Sequence, residues 1–158
     1  MANLDAGGGG GERELVLSLG IDAPRERVFD AWLDPAHIGQ WWGPNGFTTD
    51  VDEMDVREGG TWRFTLHGPD GSDYRNRIVY TELKRPERLG YQHGDDAAPW
   101  FDAEVTFAPE GDATLLALRM TCPSAQQLEQ LKQSGAQDGA EQTLERLARY
   151  LAGYGSEI

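Results

Sequence analysis

The sequence predicts an α+β fold in which a curved antiparallel sheet of about seven strands grips a long C-terminal helix. Three observations predict it: a stretch of period-two hydrophobic alternation near the start, a series of such stretches separated by turn residues in the middle, and helical spacing of apolar residues at the end. The chain has 158 residues, which suits one domain with a sizeable core.

The first elements follow from a change of hydrophobic period near residue 21. Four apolar residues separated by single positions predict a half-buried strand: Leu15, Leu17, Leu19 and Ile21. Asp22 is then expected to cap a helix that carries Pro24 in its first turn. Pro35 begins a second short helix, which ends at the Gly-Pro-Asn-Gly loop of residues 43–46.

The middle of the chain predicts a six-strand meander. The acidic stretch at 50–58 indicates a solvated edge strand, and it fails the calcium-loop pattern because Met54 and Asp55 occupy two of its required positions. A proline and two glycines at 68–71 then predict a hairpin turn, and Glu110 opens a second one. Consecutive strands joined by such short loops pair antiparallel with their neighbours.

The end of the chain predicts two helices. Ser124 is placed to cap the first, and the second follows the breakers Ser134 and Gly135. The second helix carries an apolar stripe at helical spacing: Ala140, Leu144, Leu147, Ala148 and Leu151. Because this stripe needs a partner, we expect the long helix to lie on the apolar face of the sheet.

The sequence divides into three parts. Residues 1–11 are expected to form a flexible glycine-rich leader, residues 12–153 a single domain, and residues 154–158 a short tail. The glycine run does not fit a dinucleotide-binding loop, because it follows no predicted strand and Glu12 stands at its last glycine position. No stretch is apolar for the length that a membrane span or a signal peptide requires.

Charge and cysteine content exclude several classes of function. The formal net charge of −13 disfavours binding to nucleic acid or to an anionic membrane surface. The single cysteine, Cys122, excludes an internal disulfide framework and a multi-cysteine zinc site. A single thiol fits a reducing compartment, so we expect a cytoplasmic protein.

The sequence contains no catalytic, metal or cofactor motif. The three histidines, His37, His67 and His93, have no metal-ligand spacing, so we expect neither a metal nor a cofactor. No serine lies in a nucleophile elbow, and Cys122 has no basic neighbour in sequence. His93 is in phase with the inward residues of its strand and is therefore the one candidate for a catalytic base.

Several short motifs occur in a characteristic order: WWGP at 41–44, GF at 46–47, EGGTWRF at 58–64, HGPDG at 67–71, PERL at 86–89 and LERLA at 144–148. In this order they resemble the START-related helix-grip superfamily (SRPBCC, Bet-v-1-like). Within it they resemble the branch named for the activator of heat-shock protein 90 ATPase homologues. The resemblance covers roughly residues 12–152 and implies the same fold as the hydrophobic periodicity.

The resemblance implies a hollow between sheet and helix that can hold an apolar or amphipathic small molecule. The superfamily includes lipid carriers, hormone receptors, polyketide cyclases and chaperone-binding domains, so the fold does not select one function. The chain departs from the family where Arg75-Asn76 replaces Pro-Asn and where Gly139-Ala140 replaces Gly-Trp. The lost tryptophan leaves room beside the last helix.

The candidate ligand-binding residues are the large aromatic rings and the few polar groups expected on the inward face. Core packing is the alternative for each ring. We expect one of the two adjacent tryptophans to pack inside and the other to line the entrance. The full set is Trp41, Trp42, Trp62, Phe64, Asn76, Tyr80, Tyr91, His93, Phe101, Met120 and Leu144.

Three functions fit these observations. The first is a non-catalytic carrier or sensor of a small hydrophobic molecule. The second is a cyclase-like or hydrolase-like enzyme in which inward His and Tyr groups, with His93 first, transfer protons. The third is a regulator of a chaperone ATPase, which we rank last because residues 1–11 cannot replace the additional domain of the larger eukaryotic proteins. The sequence is compatible with a homodimer.

Overall fold

The computed structural model describes residues 4–6 and 13–156, which form one antiparallel sheet and four helices. The strands are β1 Leu4–Ala6, β2 Glu14–Ile21, β3 Thr48–Met54, β4 Thr61–His67, β5 Asp73–Lys84, β6 Arg88–Gly94, β7 Pro99–Glu110 and β8 Ala113–Thr121. The helices are α1 Arg25–Leu33, α2 Pro35–Trp41, α3 Ala125–Gln133 and α4 Ala136–Ser156. The predicted α+β class and curved antiparallel sheet are confirmed.

The strand order is β1-β2-β8-β7-β6-β5-β4-β3, and every neighbouring pair is antiparallel. Strands β3 to β8 therefore form the expected six-strand meander, and β2 pairs with its last strand. The eighth strand, β1, lies within residues 1–11, where the sequence predicts a flexible leader, and its main chain pairs with β2.

The two short helices begin in different ways. At α1 the N-cap is Pro24, and no side chain caps the helix, so the prediction that Asp22 caps it is wrong. At α2 the side chain of Asp34 accepts a hydrogen bond from the backbone N–H of Ala36, and Pro35 occupies the first turn. Because α1 starts on a proline with fixed φ, its beginning does not depend on a carboxylate cap.

The core lies between the inward face of the sheet and α4. Strand β2 alternates strictly between half-buried and buried residues, as the period of two requires. Helix α4 packs against β2, α2 and α3 and buries three of the residues of its predicted stripe: Leu144, Leu147 and Leu151. The predicted partner of the helix stripe is therefore confirmed. No helix of residues 4–6 and 13–156 has the length and apolar character that a membrane crossing needs.

Candidate functional site

A cavity of about 650 Å³ lies between the inward face of the sheet and the start of α4. Strands β4 to β8 supply one wall, and the opposite wall consists of residues from α4 and from the junction between α3 and α4. The loop that follows α2 closes a third side with Gly43, Pro44 and Phe47. The volume of the cavity lies within the range of small-molecule sites, roughly 300–1,000 Å³.

Seven of the eleven predicted ligand-binding residues line this cavity: Trp42, Asn76, Tyr91, His93, Phe101, Met120 and Leu144. The wall they form is mostly apolar, and Leu66 and Leu118 extend it. At one end the lining residues Trp100, Ser134 and Asp138 are exposed, so the cavity opens to solvent there.

The other four predicted residues do not line the cavity: Trp41, Trp62, Phe64 and Tyr80. Trp41 is 0% exposed, and its indole N–H donates a 3.1 Å hydrogen bond to the carbonyl of Ala31. Trp42 instead faces the cavity, and its ring lies edge-on to Trp62 at a centroid distance of 5.0 Å. Trp41 is therefore the packed tryptophan, and the rings of Trp62 and Phe64 pack against Trp42.

Two of these four residues carry a polar atom without a partner. Among the described residues, the indole Nε1 of Trp62 and the hydroxyl of Tyr80 are fully buried and form no hydrogen bond. Burial also raises the pKa of the Tyr80 phenol, because the phenolate would lose its hydration. Tyr80 therefore keeps its proton and has no group to exchange it with.

A short hydrogen-bond chain fixes the His93 ring in the cavity wall. Its Nε2 lies 2.9 Å from the side-chain oxygen of Asn76, whose amide nitrogen donates to the carbonyl of Tyr74 at 3.2 Å. Because an amide oxygen only accepts, Nε2 carries the proton and donates, and Nδ1 keeps a lone pair. Burial lowers the pKa of His93 to about 4, so the ring is neutral near pH 7.

Aromatic rings hold His93 on several sides. Trp100 stacks on it with ring centroids 5.5 Å apart and planes at 26°. Phe101 and Phe64 approach at 5.1 Å and 5.9 Å. Because apolar rings surround the imidazole, its charged form would be poorly hydrated. Part of the ring surface still faces the cavity.

Tyr91 contributes a second polar group to the same wall. It lies two residues before His93 on β6, so both side chains project to the same face of the sheet. Burial is the main reason that the pKa of its phenol is raised. Its hydroxyl has no hydrogen-bond partner among the residues that the structure describes.

The loop of residues 43–47 is fastened to α4 above the cavity. Nη1 of Arg146 donates to the carbonyl oxygens of Gly43 at 2.7 Å and Pro44 at 3.0 Å, with a longer contact to that of Phe47 at 3.3 Å. Gly43 has φ +105, a conformation that favours glycine. A Cβ at Gly139 would lie 3.3 Å from Cγ of Pro44, so the absence of a side chain lets loop and helix approach closely.

Sequence reasoning missed several residues that line the cavity. Trp32, Phe47 and Trp100 line it, although none was among the predicted binding residues. Ala140 also lines it, at the position where the family pattern has tryptophan. The excess of aromatic residues was a signal for the three rings, but Phe47 lies in the loop that follows α2, which has no periodic pattern.

The other chemically reactive residues lie apart from the cavity lining. His67 lies on the surface between Asp73 at 2.6 Å and Asp50 at 2.7 Å. His37 contacts the hydroxyl of Tyr150 at 2.6 Å, and Cys122 is buried and forms no disulfide. Within residues 4–6 and 13–156, no three His, Cys, Asp or Glu side chains are arranged to hold a metal ion.

Comparison with known proteins gives both a family match and structural neighbours. Residues 22–152 match the family model described as "Activator of Hsp90 ATPase homolog 1-like protein". No curated protein matches the chain significantly.

Solved structures of bacterial proteins resemble this chain over nearly their full length. Protein Ms6760 of Mycobacterium smegmatis is 24% identical, with a TM-score of 0.82, over 93% of this chain and 95% of that chain. Protein CV1439 of Chromobacterium violaceum is 27% identical, with a TM-score of 0.76, over 86% and 95%. Protein NE0264 of Nitrosomonas europaea is 18% identical, with a TM-score of 0.84, over 93% and 99%.

Proposed function

Because the chain belongs to the family of activator of Hsp90 ATPase homolog 1-like proteins, whose helix-grip fold suits a ligand-binding domain, we propose that it binds a small hydrophobic or amphipathic molecule. The ligand occupies the cavity between the sheet and α4, and the protein acts as a non-catalytic carrier or sensor. The cytoplasm, suggested by the single thiol, is its proposed location.

The cavity itself is the observation that carries this proposal. Its volume of about 650 Å³ exceeds that of a packing defect and suits a ligand of several rings. Trp42, Phe101 and Met120 give the ligand an apolar surface, and removal of this surface from water supplies the driving force for binding. Tyr91 and His93 are then available to orient a polar group of the ligand.

The titration behaviour of these groups favours a carrier over an enzyme. A general base works best when its pKa lies near the working pH. Burial lowers the pKa of His93 to about 4 and raises that of Tyr91, so neither exchanges a proton readily near pH 7. The cyclase-like alternative would need a ligand that restores the basicity of His93.

The chaperone-regulating alternative has less support from the surface. It requires a docking face, for which a contiguous exposed apolar patch is the usual sign. The large apolar side chains exposed among residues 13–152 are Val56, Tyr74, Trp100 and Leu115. Trp100 lies at the mouth of the cavity, so ligand entry accounts for its exposure as well as a protein docking face does.

A cavity-filling variant tests the proposal. Ala140→Trp places an indole into the space beside α4, and Glu145→Trp adds the same group at an exposed position of the same helix. The probe is 1-aminoanthracene, an uncharged three-ring amine, titrated by calorimetry. We expect wild type and Glu145→Trp to bind it with similar affinity, and Ala140→Trp to bind at least about tenfold more weakly.

Two outcomes contradict the proposal: no binding to the wild-type protein, or equal binding to Ala140→Trp in a variant with an unchanged circular-dichroism spectrum. Native mass spectrometry of gently purified protein, before and after denaturation, then identifies the natural ligand. We expect an added mass that is released on unfolding.

A further inference from the structure

The charges around the cavity do not suit an anionic ligand. Among the described residues that line it, none is Lys or Arg, and the only charged group is the carboxylate of Asp138 at the exposed mouth. His93 is neutral near pH 7 because of its burial. A carboxylate or phosphate that entered would therefore lose hydration without gaining a cationic partner.

The N-terminal end of α4 has the opposite electrostatic preference. The first turn of α4 reaches the cavity through Ala136 and Gly139, and helix N-termini attract negative charge. However, Asp138 lies in that same first turn and already complements the helix dipole with its own carboxylate. An anionic ligand at this end would face like charge, so the helix start does not reverse the preference.

The wall offers hydrogen bonds that suit a hydroxyl group. Nε2–H of His93 is used by Asn76, which leaves Nδ1 as an acceptor without a partner. Among the described residues, the fully buried polar atoms without partners are those of Trp62 and Tyr80, so Nδ1 remains accessible. The Tyr91 hydroxyl on the same strand face can donate or accept.

We propose that the cavity selects an uncharged ligand with an apolar ring body and a hydroxyl group, which donates to Nδ1 of His93 and accepts from the hydroxyl of Tyr91. A hydroxyl suits this pair because one oxygen both donates and accepts. This inference rests on the proposed function and adds the chemical class of the ligand. It favours phenols and alcohols over fatty-acid anions and phosphorylated lipids as ligands.

Three naphthalene derivatives of nearly equal apolar area test the inference. 2-Naphthol carries a hydroxyl, 2-methoxynaphthalene can only accept a hydrogen bond, and 2-naphthoate is anionic at pH 7. Each is titrated into the full chain while NMR amide shifts report the dissociation constant. We expect 2-naphthol to bind about 3-fold to 10-fold more tightly than 2-methoxynaphthalene, as one additional hydrogen bond provides. We expect 2-naphthoate to bind at least about tenfold more weakly than 2-naphthol.

Two variants assign the contact. His93→Phe keeps a ring stacked on Trp100 but removes the acceptor, so the preference for 2-naphthol over 2-methoxynaphthalene should fall to about 1. Tyr91→Phe removes only a hydroxyl from which both compounds can accept, so it should weaken the binding of each by about 2-fold to 5-fold and leave their affinity ratio unchanged. If His93→Phe does not fold, the wild-type ligand series still tests the selection of a hydroxyl, and Tyr91→Phe still tests the contact with Tyr91.

The outcomes separate this inference from the function on which it rests. Equal affinity for 2-naphthol and 2-methoxynaphthalene, or tightest binding of 2-naphthoate, overturns the hydroxyl selection and leaves the cavity as a ligand site. An undiminished preference for 2-naphthol in His93→Phe overturns the contact with His93, and an unchanged affinity of 2-naphthol for Tyr91→Phe overturns the contact with Tyr91. Failure of all three compounds and of 1-aminoanthracene to bind overturns both proposals.

Discussion

The side chain of Arg146 in α4 donates a 2.7 Å hydrogen bond to the main-chain carbonyl of Gly43, and the two residues lie 103 positions apart in sequence. The same nitrogen reaches the carbonyls of Pro44 and Phe47. One guanidinium therefore fastens the α2 loop to the helix and closes one side of the cavity. Burial lowers the pKa of Arg146, because the guanidinium loses hydration between the loop and the helix.

We expect Arg146→Ala to release this loop. The loss of charged hydrogen bonds to backbone carbonyls should lower the free energy of unfolding by about 1–3 kcal/mol. It should also accelerate amide hydrogen exchange in residues 45–47. The control is Arg149→Ala, which removes one exposed 3.3 Å contact to the side chain of Asn45 and should cost less than about 0.5 kcal/mol. Equal effects of the two variants would show that Arg146 does not fasten the loop.

His93 should make the protein less stable in mild acid. Burial lowers its pKa to about 4 in the folded chain, from an ordinary 6.5. Between pH 4 and pH 6.5 the unfolded chain therefore binds more protons, so this contribution to the free energy of unfolding rises with pH and is complete above 6.5. Urea unfolding from pH 4.5 to 7.5 should show a shallower rise in His93→Gln. Parallel profiles in both proteins would refute the assignment, since the other titrating groups are common to them.

His67 should act in the opposite direction. Hydrogen bonds from its ring to Asp73 and Asp50 raise its pKa above 6.5. The folded chain holds this proton more tightly, so the stabilisation is present below pH 6.5 and is lost as the pH rises through the folded pKa. An NMR titration should place His67 above 6.5, and Asp73→Asn should lower its pKa. An unchanged titration in that variant would mean that the Asp73 contact does not form in solution.

Tyr80→Phe should be tolerated or stabilising. The hydroxyl of Tyr80 is buried without a hydrogen bond, in a residue only 1% exposed. Deletion of an unsatisfied buried polar group removes a desolvation penalty, so we expect a gain of up to about 1 kcal/mol in the free energy of unfolding. Tyr91→Phe is the matched control and should change stability little, because the hydroxyl of Tyr91, unlike that of Tyr80, is not fully buried. A loss larger than about 1 kcal/mol in Tyr80→Phe would show that the hydroxyl has a hydrogen-bond partner, such as a buried water.

The hydrophobic periods predicted the fold because each element buries one face. The alternation at Leu15 to Ile21 and the stripe at Leu144 to Leu151 are local patterns, and the structure buries these residues as expected. The cap of α1 could not be predicted in the same way. Asp22 and Pro24 both suit a helix start, and the choice between them depends on how the chain leaves β2.

The site was less predictable, because an inward position on a strand does not show whether the side chain lines the cavity or packs behind another ring. Phe64 and Phe101 both lie on inward strand positions, yet only Phe101 lines the cavity. The difference comes from Trp42, which packs 5.8 Å from Phe64 and covers it. Trp41 and Trp42 are neighbours at the end of α2, so their directions depend on where that helix stops, and the sequence leaves this position open.

The arrangement of the tryptophans also makes intrinsic fluorescence a probe of ligand binding. Trp32, Trp41, Trp42 and Trp62 form a chain with successive ring centroids between 5.0 and 5.5 Å apart, close enough for excitation energy to pass between indoles. Trp100 is 41% exposed and stands at the mouth of the cavity. Four of the five tryptophans therefore emit from an apolar cluster that touches the cavity, and the fifth emits from its rim. An absorbing ligand would quench both populations, so intrinsic fluorescence can follow its arrival without a label.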